Sequence, residues 1–188
     1  MRRDELVRAA IGVIHDNGPE LTLDELANNL GVSKPVLYAE FGNRVGLADA
    51  IAEALARDLE LEVAQTLATH PVLDLARLID VLTDAFITLV DDEAALYEFV
   101  VRAFWNDGRG LLGNPLVRIL HERLQPIVAR TASVSDEELT ILIDGVYGFM
   151  LASVQSWKSS RSLTRQQVAT LLSTVLREAV HGAEESRR

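Results

Sequence analysis

Several short stretches of the chain carry residue types whose spacing is associated with chemistry. Gly108 to Gly113 reads GRGLLG and matches, letter for letter, the GxGxxG turn that lets a backbone approach a dinucleotide pyrophosphate. That mechanism needs a strand before the glycines and a helix opening after them. Here a helical pattern precedes and Asn114-Pro115 follows, so the stretch reads as a flexible connection between helices. His15, His70, His121 and His181 are scattered, with no pair at i, i+4 and no carboxylate at metal-ligand spacing, which points to surface or capping roles. Asp91-Asp92-Glu93 offers hard oxygen ligands, but no EF-hand spacing follows, and the run fits a solvated helix junction with acidic groups where a helix dipole favours them. No serine stands in GxSxG or SxxK, and the absence of cysteine excludes a disulfide scaffold, a thiolate zinc site and a cysteine nucleophile. Neither an enzyme nor a metal or cofactor is expected.

Behind these residues the pattern is helical from end to end. Leu6, Ala10, Val13 and then Val7, Ile11, Ile14 recur at steps of three and four before Asn17-Gly18-Pro19 stops the first helix, and no strand alternation competes. Further helices are expected from Arg44 to about Thr69, stopping at His70-Pro71, and over about 73–90, 93–105, 115–130, 136–157 and 164–181. Their starts are marked. Ser135 with Glu138 and Thr164 with Gln167 fit capping boxes, and Leu163 is placed to staple onto Val168. Asn106 to Pro115 is the glycine-rich linker, and Pro126 kinks or interrupts its helix.

A length of 188 residues suits one compact domain or two small ones, and 48% hydrophobic with 24% charged residues is an ordinary globular composition. The start, Met1-Arg2-Arg3-Asp4-Glu5, turns acidic at once and has no long apolar run, so no signal peptide is expected. The most apolar window, Leu139 to Trp157, carries Thr140, Asp144 and Gln155 and does not read as a membrane span. A reducing, cytoplasmic setting fits. The net charge of -10 argues against wholesale coating of nucleic acid, although recognition depends on local charge.

Residues 21 to 44, LTLDELANNLGVSKPVLYAEFGNR, are the most strongly specified part of the chain. Thr22 and Glu25 form a capping box with Leu21 and Leu26 at the staple positions, so a helix begins at Leu23. Gly31 ends it in the left-handed conformation, and Ser33 is placed to cap a second short helix with Pro35 in its first turn. Two short helices joined by a glycine turn make a helix-turn-helix. Ala27, Leu30, Val32 and Leu37 are expected to lock the pair against helix 4–16, leaving Ser33, Lys34, Tyr38 and Ala39 on the outer face. Gly42-Asn43-Arg44 ends this helix and caps the next.

Helix 4–16 followed by TLDELANNLGVSKPVLYAEFGNR resembles the DNA-binding domain of the tetracycline-repressor (TetR) family of bacterial regulators, over about the first 50 residues, with GVSKPVLYAEF its specific part. The resemblance implies an all-α fold: a three-helix helix-turn-helix domain over 1–47 and a helical ligand-binding and dimerisation bundle over 48–188. It implies a repressor that binds a double-stranded, roughly palindromic operator as a homodimer and is released by a small ligand. Thr22, Ser33, Lys34, Tyr38 and Arg44 then occupy DNA- or phosphate-contacting positions, with Pro35 on the same turn. Phe86, Tyr97, Phe104, Trp105, His121 and Tyr147, with Trp157, lie on helices that the family places around its pocket. Val45-Gly46 stands where an acidic helix-forming pair is usual, so a looser start to the fourth helix is expected, and Gly46 is either a hinge for that helix or a glycine merely tolerated there.

Gly145, Gly148, Ala152 and Ser156 form one thin stripe that permits close helix approach. Paired with Val168, Leu171, Leu172, Val175 and Leu176, it is the candidate four-helix dimer interface, the alternative being that the stripe packs inside one subunit. Residues 1–47 hold five basic against seven acidic side chains, a net of -2. The rival reading is therefore a helical ligand-binding or scaffold protein whose helix-turn-helix contacts protein.

Overall fold

The computed structural model describes residues 2–68, 75–106, 122, 135–160 and 162–185. The GRGLLG segment, helix 115–130 with Pro126, His70 and His121 lie outside them. The described residues form eight α-helices and no strand: α1 (Arg3–Asn17), α2 (Leu23–Leu30), α3 (Lys34–Phe41), α4 (Arg44–Ala68), α5 (Leu75–Asp92), α6 (Ala94–Asn106), α7 (Asp136–Ser160) and α8 (Arg165–Glu185). Two compact units result, one from the described residues of Met1–Ala56 and Glu93–Ile119, the other from those of Arg57–Asp92 and Leu120–Arg188.

In the first unit α1 and α2 turn their apolar stripes toward α3 and the start of α4. Leu6, Ala10, Ile14, Leu26, Ala27, Leu37, Leu47 and Ile51 are all buried, and each large side chain contributes about 1.5–3 kcal/mol. This packing stabilises α2 and α3, which at eight residues apiece are too short to persist alone. Helix α6 adds Leu96, Phe99, Val100 and Ala103 to the same core. Polar links join it to the helix-turn-helix side: His15 Nε2 lies 2.9 Å from Glu93, just before α6, and Arg102 reaches Glu20 at 2.8 Å while pairing with Glu98 within α6 at 2.6 Å.

The second unit is organised around α5 and α8. Leu59 and Val63 of α4 cluster with Val81 and Ala85 of α5. Arg177 bonds both Asp80 oxygens at 2.6 and 2.7 Å, while Arg165 meets Asp92 at 3.0 Å, which fixes α5 and α8 as antiparallel. Both expected capping boxes form: Ser135 with Glu138 before α7, and Thr164 with Gln167 before α8. The Trp157 indole N–H donates to the Leu163 carbonyl at 2.8 Å and closes the turn between those helices.

Candidate nucleic-acid interface

The helix-turn-helix is built from local backbone chemistry. At the start of α2 the Thr22 Oγ1 accepts from the Glu25 N–H at 3.2 Å, and the Glu25 carboxylate accepts from the Thr22 N–H at 2.8 Å. These bonds, the backbone one first, hold the Glu25 carboxyl below its ordinary pKa. At the other end Gly31 has φ 65° and ψ 25°, and Val32 N–H returns to Ala27 O at 3.1 Å while Gly31 N–H returns to Asn28 O at 3.2 Å, the two bonds of a Schellman turn. Ser33 stands at the N-cap of α3 as expected from its position, but its hydroxyl makes no capping hydrogen bond there. Leu37 and Phe41 face inward. Leu30 and Val32, expected among the locking residues, are half-buried, and Leu26 is fully buried beside Ala27.

The start of α4 is closed, contrary to the looser start expected from Val45-Gly46. Asn43 Oδ1 accepts from the Gly46 N–H at 3.0 Å, and a Cβ placed on Gly46 would lie 1.9 Å from the Phe41 carbonyl oxygen. Gly46 thus permits a close backbone approach between the end of α3 and the first turn of α4.

The exposed surface of α3 consists of Ser33 at its cap, Lys34, Pro35, Val36, Tyr38 and Ala39. Tyr38 is 46% exposed, with its ring off the core. The Lys34 ammonium pairs with the Asp24 carboxylate of α2, and the Tyr38 hydroxyl reaches the other Asp24 oxygen at 3.5 Å. The hydrogen bond from Lys34 to Asp24, followed by the attraction of that charge, raises the lysine pKa above its ordinary value. Sequence reasoning missed Asp24, because a partner ten residues away across a turn follows no local spacing rule, and it missed Val36, an exposed apolar group of the kind that meets a thymine methyl.

Arg44 is turned the other way. Its Nη2 donates to Pro19 O at 2.6 Å and its Nη1 to Leu21 O at 2.8 Å, and the guanidinium lies 4.4 Å from the centroid of the Phe99 ring. Burial, then repulsion from Arg102, lowers its pKa, with Glu20 opposing. Thr22 is exposed at the N-terminus of α2, with its hydroxyl committed to the Glu25 box.

The expected ligand residues divide between the units. Phe86 and Tyr147 meet edge to face at 6.3 Å in the second unit. Tyr97 and Phe104 are buried in the first, where burial raises the Tyr97 hydroxyl to a pKa above its ordinary range. Trp105 is 66% exposed, and His121 lies outside the described residues. On α8 Val168, Leu172 and Leu176 are buried, while Leu171 and Val175 are exposed. On α7 Gly145, Ala152 and Ser156 are exposed and Gly148 is half-buried. Ile141, Leu142 and Val146 are exposed too, apolar positions that the small-residue stripe did not include.

Residues 6–51 match the family described as bacterial regulatory proteins, tetR family. A 56-residue segment is 43% identical to the tetracycline repressor protein class C of Escherichia coli, covering 29% of this chain and 26% of that protein. The match thus spans about a quarter of the length of that relative. Over 97% of this chain and 85% of the other, the fold is similar to a tetR-family transcriptional regulator from Streptomyces coelicolor, with a TM-score of 0.66 at 18% identity. It is also similar to RolR in complex with resorcinol, with a TM-score of 0.61 at 18% identity, over 92% of this chain and 86% of that one. Residues 6–51 thus match the tetR family's model, and the chain shares the fold of these solved regulators.

Proposed function

We propose that the protein is a sequence-specific DNA-binding transcription regulator, a repressor that acts as a homodimer and is released by a small molecule. The observation that carries this reading is the exposed outer face of α3, where Ser33, Lys34, Pro35, Val36 and Tyr38 project from a helix fixed from behind by Leu37 and Phe41. A helix held this way inserts into a major groove, its side chains contacting base edges and phosphates. Thr22 and the N-terminus of α2 lie at the flanking backbone. Arg44 acts in this reading by fixing the loop that carries Thr22 rather than by direct contact.

The functional boundary falls near residue 47, with the head over 1–47 and ligand binding and dimerisation over 48–188. The exposed apolar residues Ile141, Leu142 and Val146 of α7, with Leu171 and Val175 of α8, support a second copy as the occupant of that face. Two heads related by a two-fold axis read half-sites about one helical turn apart, hence a roughly palindromic operator. The Phe86–Tyr147 pair supports a small apolar or aromatic ligand, the class to which the resorcinol held by RolR belongs. Helix α4 runs unbroken from the head into the second unit, so a ligand that shifts it biases the head. Among the described residues no helix is long and apolar enough to cross a membrane, and the reading places the protein in the cytoplasm.

Selection of duplexes from a random library, followed by anisotropy titrations over a salt series, tests the assignment. Enrichment of a two-fold-related motif is expected; no enrichment and no duplex binding would remove the DNA reading in favour of a protein-binding scaffold. A coupling of 1–3 kcal/mol weakens operator binding by roughly 5- to 150-fold, and linkage requires the operator to weaken ligand binding equally. Equal ligand affinity with and without operator disqualifies that ligand as inducer.

A further inference from the structure

We propose that the Asp24 carboxylate is an internal stand-in for a DNA phosphate, holding the Lys34 ammonium and the Tyr38 hydroxyl while the head is free and releasing both to a backbone phosphate when it docks. The inference rests on the DNA-binding reading and names a residue that controls its strength.

The geometry is that of a shared anion. One Asp24 oxygen takes the Lys34 ammonium and the other lies 3.5 Å from the Tyr38 hydroxyl, much as two non-bridging phosphate oxygens receive two donors. Lys34 and Tyr38 are one helical turn apart on the exposed face of α3, and Asp24 sits in the first turn of α2. The Lys34 and Asp24 side chains are 52% and 44% exposed, so water and a competing anion reach the pair and no buried charge is stranded when it opens. Three other described cations of the first unit are committed elsewhere: Arg3 to the Glu40 carbonyl at 2.7 Å and its carboxylate at 3.3 Å, Arg44 to loop carbonyls, and Arg102 to Glu20 and Glu98. What distinguishes the Asp24 pair is that it ties down donors on the face that meets DNA.

Exchange has a counterion signature. A free lysine that docks on a phosphate releases about 0.9 condensed cation. A lysine taken from Asp24 leaves a bare carboxylate that attracts a cation back, so net release for that contact falls toward zero. The probe is a mixed-sequence duplex of about 30 base pairs, titrated by anisotropy between about 50 and 200 mM salt, the range over which the electrostatic term is steep. Asp24→Asn is expected to bind about 3- to 5-fold tighter at the middle of that range, as removal of an exposed charge interaction allows. It is also expected to steepen the logarithmic salt slope by about 1. Lys34→Ala should leave the slope nearly unchanged in the native background and lower it by about 1 in the Asp24→Asn background. Asp24→Ser, with a residue favoured at helix starts, serves as the second variant, and circular dichroism with thermal melting checks both folds. If folded Asp24 variants bind no tighter and keep the native slope, Asp24 is a structural partner and the inference is overturned. If no variant binds the duplex and neither does the native protein, the DNA-binding reading fails and takes the inference with it.

Discussion

Arg44 offers the sharpest test of geometry against resemblance, because its family position implies a phosphate contact while its guanidinium is aimed into the fold. Two of its N–H groups reach loop carbonyls at 2.6 and 2.8 Å, a third contact to Glu20 O is long at 3.4 Å, and the cation covers Phe99. Hydrogen bonds to a charged group contribute about 1.5–3 kcal/mol each, and a cation–π contact at a partly exposed site about 0.5–1. The group is only half-buried and the freed carbonyls regain some water, so Arg44→Ala is expected to cost about 2–4 kcal/mol rather than the sum. Arg44→Lys keeps the charge but its single ammonium cannot span Pro19 O and Leu21 O together, and it should cost about 1–2 kcal/mol. Urea unfolding followed by circular dichroism measures both, and amide exchange in α2 gives the local readout, since the Pro19–Leu21 loop sets where that helix begins. A phosphate-contacting Arg44 gives the opposite pattern: unchanged unfolding, a DNA salt slope lower by about 1 in Arg44→Ala, and near-native behaviour in Arg44→Lys. That pattern would refute the structural role.

Gly46→Ala forces a Cβ toward the Phe41 carbonyl oxygen, 1.9 Å away before relaxation. Overpacking of about 1–3 kcal/mol outweighs the gain of about 1 kcal/mol in helix propensity, and a melting temperature at or above the native one would show that the turn relaxes freely. A Cβ placed on the exposed Gly145 meets nothing within 4 Å among the described residues, so Gly145→Leu should leave the melting behaviour of the monomer fold while a dimer through α7 loses affinity by roughly 5- to 150-fold; a native dimerisation constant by sedimentation would remove α7 from the interface. Thr22→Ala should cost about 1 kcal/mol through loss of the α2 cap. Because the Glu25 pKa is depressed, its box contributes stability above the ordinary glutamate range and loses it as pH falls through the folded value, so the Thr22→Ala penalty should shrink toward strongly acidic pH; a pH-independent difference counts against the box.

What could be read from the sequence follows from the range of the forces involved. Capping boxes at Thr22, Ser135 and Thr164 and the turn at Gly31 depend on residues three or four apart, and all four form. The all-helical fold follows from the same short period. Contacts across turns and between helices were not legible: Asp24 with Lys34, Arg44 with Phe99, and Arg102 with Glu20, the last 82 residues apart in the chain. The same limit explains α8, where one apolar stripe divides into Val168 and Leu172, buried within the subunit, and Leu171 and Val175, left exposed. Periodicity marks a stripe as apolar but does not say which neighbour covers each part of it.

The charge of -10, the strongest argument against a DNA-binding role, has a different consequence once the head's internal pairs are known. Non-specific affinity comes almost entirely from cations on phosphates and is the same for every sequence. Of the five cations of the head, Arg3 is paired with Glu40, Lys34 with Asp24 and Arg44 with backbone carbonyls, while the Arg8 Nε reaches only the Asp4 carbonyl at 3.3 Å. Under the proposed DNA-binding role, three of five cations so committed predict a low affinity for arbitrary DNA. In the proposed role, specific docking would draw on terms that acidity does not cancel: base-edge contacts from Ser33 and Val36, backbone amides at helix starts, and fit of α3 to the groove. Self-neutralisation would then lower the affinity shared by all sequences and leave discrimination to the short-range contacts of one eight-residue helix.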